Sequence, residues 1–217
     1  MPDYAERRRI MVDTQVRPSD VTKYPIIDAM LAVPREHHVP DDLREAAYIG
    51  EHLELAQGRV MLDPRTLAKM LDALDIGRDD LVLDIGCGLG YSTAVAARLA
   101  EAVVGLEEVE PLAREAEAIL AADGVDNAVV VPGPLAEGSP RHGAFDAIIV
   151  QGGVEELPQA LAAQLKDGGR IVCLFMENAL GVCRVGLKTQ GQLSWRDVFN
   201  GSAPVLPGFE REREFSL

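Results

Sequence analysis

Hydrophobic positions along this chain of 217 residues change their period twice. Over the first sixty residues the pattern is helical and irregular. YAERRRIMVDTQV sets Tyr4, Ile10, Val12 and Val16 among charges, and Arg17-Pro18 stops it. SDVTKYPIIDAMLAV predicts a second helix, capped by Ser19 or Asp20 and ended before Pro34. DDLREAAYI predicts a short third one, followed by a polar connection that ends in Gly58. DPRTLAKMLDALDI opens with Asp63 ahead of Pro64, the N-cap and first-turn pairing, and predicts a helix ending near Gly77.

From residue 81 short apolar runs alternate with longer amphipathic ones. LVLDI (81–85), AVVGLE (102–107), NAVVVP (127–132), FDAIIVQ (145–151) and GRIVCLF (169–175) read as buried strands. YSTAVAARLA, PLAREAEAILAADG and EELPQALAAQL read as the helices between them. Strands alternating with helices imply right-handed crossovers and a parallel sheet covered on both faces. The pattern then changes again: VCRVGLKT and QLSWRDVF flank Gln190-Gly191, the signal of an antiparallel hairpin. The predicted fold is α/β, an open, mostly parallel, doubly wound sheet with added N-terminal helices and an antiparallel C-terminal edge. It forms one domain, residues 1–63 extending a core of residues 64–217.

Composition narrows the function. Hydrophobic residues make up 47% and charged ones 26%, the balance of a globular chain. MPDYAERRRI has no apolar region behind its basic cluster and no apolar run reaches membrane length, so neither a secretion signal nor a membrane span is expected. The net charge of −14 argues against nucleic acid as a partner. Arg7-Arg8-Arg9, the one basic cluster, reads as a solvated helix face. Cys87, Cys173 and Cys183 form no close pair, which suits a reducing cytoplasm. Adjacent His37 and His38 aim their rings apart, so no metal site is expected.

Candidate chemistry sits at the first strand end, Asp84-Ile85-Gly86-Cys87-Gly88-Leu89-Gly90. Missing Cβ atoms let a backbone turn tightly and approach a ligand, and open parallel sheets bind ligands beyond the carboxyl ends of their strands. A dinucleotide turn spaces its glycines G-x-G-x-x-G. Here the spacing is G-x-G-x-G and Asp84 stands directly before it, where an acid opposes a pyrophosphate and attracts an ammonium. Glu107, at the end of the second strand, suits ribose hydroxyls in either case. An amino-acid ammonium and a ribose coexist in S-adenosylmethionine. Cys87 reads as a small space-filler in the turn rather than a reactive thiol.

These residues bring the chain to a resemblance. The glycine turn with Asp84 and the acid Glu107 look like the motifs of Rossmann-type S-adenosylmethionine-dependent methyltransferases. More specifically, the chain resembles the protein-L-isoaspartate O-methyltransferases. Tyr48 in AAYI, Gly58 ahead of Pro64, the PRTLAKMLDAL helix, Tyr91, FDAIIV and LPQALAAQLKDGGRIV match in order, without gaps from Tyr48 to Gly169. The resemblance implies methyl transfer from S-adenosylmethionine to isoaspartyl carboxylates of damaged proteins, with a protein or peptide as acceptor and the cytoplasm as location. It also implies that Asp84, Gly86, Gly88 and Gly90 hold the methionine end and Glu107 the ribose. Cys87, Tyr91, Glu108, Gly133, Pro134 and Gln151 would complete the cofactor wall. Gln151 is equally readable as a contact to the acceptor or the adenine, or as a group satisfying strand-end backbone.

Two positions depart from the family. Leu62 stands where the family carries a serine or threonine hydroxyl linked to catalysis, and Gly133-Pro134-Leu135 replaces Gly-Asp-Gly. An isoaspartyl carboxylate is ionised at neutral pH and needs no general base, so losing one oriented hydroxyl predicts a rate about ten- to a hundredfold lower. A changed acceptor is the alternative: Asp63 would take a proton from a hydroxyl, amine or thiol, unless it only caps its helix. A third reading, motivated by Pro134, is a catalytically idle cofactor binder. Trp195 and Phe199 read as core, and PVLPGFEREREF as a charged terminal edge or a cover over the acceptor mouth.

Overall fold

The computed structural model describes residues 3–211. Helix α1 (Tyr4–Met11) runs directly into a π-helical turn, Val12–Val16, and a 3-10 turn, Arg17–Ser19. Asp20 then adopts a left-handed φ of 65°, which breaks the chain direction. Helix α2 (Tyr24–Ala32) therefore starts several residues later than its sequence pattern predicts, with Pro25 in its first turn and neither Ser19 nor Asp20 as its cap. DDLREAAYI forms only a 3-10 segment, Asp41–Ala46.

The expected polar connection to Gly58 is a β-hairpin. Strand β1 (Leu53–Ala56) pairs antiparallel with β2 (Arg59–Met61), Leu53 opposite Met61, and Gly58 makes the turn at φ 73°. Helix α3 (Pro64–Leu74) follows at once. Asp63 Oδ1 accepts the Thr66 N–H at 2.9 Å, and Asp75 ends the helix in a left-handed conformation just before Gly77.

The core then alternates as expected: β3 (Leu81–Ile85), α4 (Tyr91–Ala97), β4 (Ala102–Glu107), α5 (Glu110–Ala122), β5 (Ala128–Pro132), β6 (Phe145–Val154), α6 (Gln159–Gln164) and β7 (Leu165–Glu177). Strands β8 (Leu180–Thr189) and β9 (Gln192–Asn200) finish the sheet, joined by Gln190-Gly191 with both φ angles positive, as a two-residue hairpin turn requires. The seven strands lie in the order β5-β4-β3-β6-β7-β8-β9, parallel through β7 and antiparallel beyond it. The chain winds outward from β3 to β5 and returns to the other side of β3 as β6. The direction of winding reverses at the β3–β6 boundary, which places a ligand crevice beyond Ile85 and Gln151.

Alternation along β3 divides the interior. Val82 joins a cluster with Met11, Ile27, Met30, Leu67 and Leu71, so the N-terminal helices and α3 cover one face. Leu83 and Ile85 join Phe145, Ile148, Leu161 and Phe209 on the other. Residues after β9 are more than an edge: Gly153 N–H donates to Pro204 O at 2.8 Å and Leu206 N–H to Gly153 O at 3.0 Å, and Phe209 is fully buried. The remainder of PVLPGFEREREF, from residue 212, lies outside the described residues. Trp195 is not core. It is 36% exposed and packs edge-on to Phe175, ring centroids 4.8 Å apart, because its strand is the sheet's last. Phe199 is half-buried and packs against the core cluster on the N-terminal helices' side. Among the described residues no helix is long and apolar enough to cross a membrane.

Candidate active site

The glycine turn closes the carboxyl end of β3. Gly86 and Cys87 both donate to Leu106 O of β4, at 2.8 and 3.2 Å, and Gly90 N–H returns to Cys87 O at 2.8 Å. Gly86, Gly88 and Gly90 take φ of 75°, 56° and 85°, a region that a side chain strains to enter. Their surroundings differ. A Cβ on Gly90 would meet Ala116 and Leu120 of α5, whereas one on Gly88 would fall 2.5 Å from Leu55 Cδ1 of the β1–β2 hairpin.

Asp84 lies beneath the turn, fully buried. Its Oδ2 accepts the Ser92 and Thr93 hydroxyls at 2.6 Å each, and its Oδ1 accepts Gln151 Nε2 at 2.8 Å. Burial pushes this carboxyl above the ordinary range, and the three donors pull it back. The acid thus fixes the turn to α4 and to β6 from below. Cys87 is buried in the turn and its thiol pKa is raised well above the usual value by desolvation, which leaves it inert at neutral pH.

Glu107 is also fully buried, at the end of β4. Its Oε2 accepts Gly88 N–H, and its Oε1 accepts Val109 N–H and Arg59 Nε, all at 2.9 Å. Arg59, 2% exposed, reaches Glu108 Oε2 as well, at 3.3 Å. Gly133 N–H donates to Glu107 O at 3.0 Å, so the next loop is tied to the same strand end. Pro134 is exposed and opens a short 3-10 turn, Leu135–Glu137.

On the other side of the turn lies the loop into α3. Leu62 is 1% exposed, and its carbonyl accepts Arg35 Nη2 at 2.8 Å. Arg35 is completely buried, donates Nε to Ala47 O at 2.6 Å, and lies 4.7 Å over the Tyr91 ring. Arg35 Nη1 and the Tyr91 hydroxyl are buried without a hydrogen-bond partner. His38 stands at the edge of the same ring, its Nδ1 2.8 Å from Leu89 O and its Nε2 unpartnered. Burial lowers the His38 pKa to about 4. Asp63 serves as the cap of α3, and its own N–H donates to His52 Nδ1 at 2.9 Å, while His52 Nε2 donates to Ser202 O at 2.7 Å.

Between these groups lies a cavity of about 10 Å³, lined on one side by Gly86, Cys87, Tyr91 and Gln151 and on the other by Leu55, Val60 and Leu62. Of the predicted site residues, Gly86, Cys87, Tyr91, Gln151 and Leu62 line this cavity. Asp84 and Glu107 do not line it but bond to Gln151 and to Gly88 N–H, and Gly90 faces α5. Glu108, Gly133 and Pro134 follow the ends of β4 and β5 and do not line the cavity. Arg35, His38, Leu55, Arg59 and Leu206, which contacts Gly86, were not marked as site residues by sequence reasoning. For Leu55 and Arg59 a signal exists in the turn: Gln57-Gly58 repeats the Gln-Gly pair of residues 190–191, although here only the glycine takes a positive φ.

Strand order, a glycine turn on β3 and a buried acid ending β4 define the class as a Rossmann-type methyltransferase. The comparisons with known proteins narrow it. The family model described as protein-L-isoaspartate(D-aspartate) O-methyltransferase (PCMT) matches residues 7–198, and the chain belongs to that family. It is similar to the protein-L-isoaspartate O-methyltransferase of Opitutus terrae, 40% identical over 165 residues that cover 76% of this chain and 71% of that one. It is similar also to protein-L-isoaspartate O-methyltransferase 2 of Pelobacter propionicus, 36% identical over 83% and 82% of the two chains. Two solved structures share the fold. A protein-L-isoaspartate O-methyltransferase superposes with a TM-score of 0.78 at 23% identity over 94% of this chain, which spans 65% of that chain's length. A putative Plasmodium falciparum enzyme, crystallised with S-adenosyl-L-homocysteine, gives 0.77 at 20% identity, over 95% of this chain and 99% of that one. S-adenosylmethionine is the methyl donor of this family. At the crevice, positive-φ glycines leave their positions in the turn bare of side chains, and the buried carboxylate ending β4 is held by Arg59 and by backbone N–H groups.

Proposed function

We propose that this chain methylates isoaspartyl carboxylates of protein or peptide acceptors, Asp84 and the glycine turn positioning the methionine end of the donor and Glu107 its ribose. S-adenosylmethionine supplies an electrophilic methyl group on a sulfonium. The chain's part is to hold the acceptor in line and exclude water.

The observation that carries this reading is that, among the described residues, none that lines the cavity is a base of useful strength at neutral pH. His38 has a free Nε2, but with a pKa of about 4 it is a weak base. Burial raises the Tyr91 and Cys87 pKa values, so neither is ionised at neutral pH. Asp63 spends one oxygen on the cap of α3. An acceptor that arrives already ionised suits such a lining, and a carboxylate does. Arg35 adds a buried positive charge, with no carboxylate within ion-pair distance among the described residues, directly behind Leu62. That charge favours an anionic acceptor over an amine.

Incubation with labelled S-adenosylmethionine and matched isoaspartyl and aspartyl peptides tests the proposal. Label is expected on the isoaspartyl peptide alone, as a base-labile ester. Base-stable label on a hydroxyl- or amine-bearing acceptor would replace this reading with a different acceptor.

A further inference from the structure

We propose that Arg59 is an internal occupant of the ribose position on Glu107, and that it sets the affinity for the methyl donor by holding the β1–β2 hairpin over the glycine turn. The inference rests on the reading of Glu107 as the ribose acid and concerns what stands in front of it.

Three contacts of one hairpin converge on the donor side of the crevice. Arg59 Nε donates to Glu107 Oε1 at 2.9 Å and Arg59 Nη2 to Glu108 Oε2 at 3.3 Å. Leu55 Cδ1 lies against the bare face of Gly88, in the space a Cβ would take. Val60 and Met61 line what is left of the cavity, about 10 Å³. A pocket for a nucleoside-sized ligand needs about 300 Å³ or more. Glu107 cannot serve two ribose hydroxyls in this arrangement. Oε1 already accepts Arg59 and Val109 N–H, Oε2 accepts Gly88 N–H, and one acceptor position on Oε2 is left.

The guanidinium therefore supplies the hydrogen bond that a ribose hydroxyl or water would otherwise give the carboxylate, and adds a positive charge that neither of them carries. A two-stranded hairpin has little stability of its own, so its hold on the turn depends on such contacts. Donor and hairpin compete for the same acceptor atoms, and binding must first break a buried ion pair. Strand β2 continues into Leu62-Asp63-Pro64, so displacing Arg59 also shifts the loop against which the acceptor would lie. Donor binding is thereby linked to assembly of the acceptor side.

Replacing Arg59 raises the free energy of the closed form, which keeps a buried Glu107 without its partner, and spares the open form. Titration calorimetry of the full chain with S-adenosylhomocysteine is the test, using wild type, Arg59→Gln and Leu55→Ala, with hydrogen exchange of residues 53–61 alongside. Arg59→Gln is expected to bind about tenfold tighter, the equivalent of about 1.4 kcal/mol, and to lose amide protection in the hairpin without ligand. Leu55→Ala keeps the ion pair, clears Gly88 and is expected to bind tighter by a smaller factor. Unchanged or weaker binding by a folded Arg59→Gln overturns the proposal, since Arg59 would then be indifferent to the ligand or help to hold it. If wild type and both variants all fail to bind at millimolar ligand, the donor-site reading itself fails, a result distinct from a shift between them.

Discussion

Gln151 Nε2 and Asp84 Oδ1 lie 2.8 Å apart, joining β6 to β3 at the point where the sheet changes its direction of winding. Gln151 thus supplies a hydrogen bond that a fully buried carboxylate cannot obtain from water. Gln151→Leu removes the donor and leaves Oδ1 unsatisfied, so it is expected to lower stability by about 1–3 kcal/mol. Gln151→Glu sets two buried carboxyls together, and one must stay protonated. Its urea midpoint should fall as pH rises from 5 to 8, and more steeply than that of Gln151→Leu, which loses one of the three donors that hold the Asp84 carboxyl down.

His38 gives the wild type a pH dependence of its own. Its folded pKa is depressed to about 4 from 6.5, first by burial, and Asp123 Oδ2 at 3.7 Å is too distant to hold the imidazolium against that cost. The unfolded chain therefore binds more protons than the folded one between these values, and stability rises with pH across that window. It is complete above about 6.5 and is lost as pH falls toward 4. The loss from this one group between pH 7 and pH 5 is about 2 kcal/mol. His38→Phe keeps the edge contact with Tyr91 and has nothing to titrate. Denaturation at pH 7, 6 and 5 should show the wild type losing stability faster than the variant, and equal losses would count against a buried neutral His38.

The central βα units were readable because each couples a continuous apolar run to a helical period, which a buried parallel sheet enforces. AVVGLE matches its strand residue for residue. Asp63 was readable as a cap because Asp-Pro makes a local hydrogen bond that needs no tertiary partner. Legibility ended where long-range contacts decide. Leu53–Ala56 and Arg59–Met61 are too short and too mixed in polarity to stand out as strands. Their stability comes from resting on the glycine turn, so neither Leu55 on Gly88 nor Arg59 on Glu107 was visible. The buried state of Arg35 depends on carbonyls of residues 47 and 62, and local pattern carries no such information. Leu206 is a similar case, an apolar residue in a charged tail that packs onto Gly86 and Gly152.

Leu62 should separate stability from catalysis. It is 1% exposed, so Leu62→Ser loses a packed side chain and buries a hydroxyl, at an expected cost of about 2–4 kcal/mol. If the chain runs the family's chemistry in attenuated form, the same change raises kcat on an isoaspartyl peptide about tenfold or more. Leu62→Ala is the control, with a similar loss of stability and no hydroxyl. A rise in kcat confined to the serine variant identifies the oriented hydrogen bond as the missing element. Equal rates for the two variants would remove that role from position 62.

Asp63 decides between the two acceptor chemistries. Its Oδ1 accepts the Thr66 N–H at 2.9 Å, and its Oδ2 lies 3.4 Å from His52 Nδ1, which already accepts the Asp63 N–H. A cap needs an oxygen acceptor and no charge, whereas a general base needs a basic carboxylate. Asp63→Asn keeps the acceptor and loses the basicity, while Asp63→Ala loses both. For a cap, Asp63→Asn is expected to hold methyl transfer within about twofold of wild type, and Asp63→Ala to lower stability by about 1 kcal/mol. A base would show the reverse emphasis: Asp63→Asn would lose a hundredfold or more in kcat, on the order expected for removing a general base, with little change in stability. Comparing kcat of Asp63→Asn with the unfolding midpoint of Asp63→Ala separates the roles, because the capping hydrogen bond survives only in the first variant.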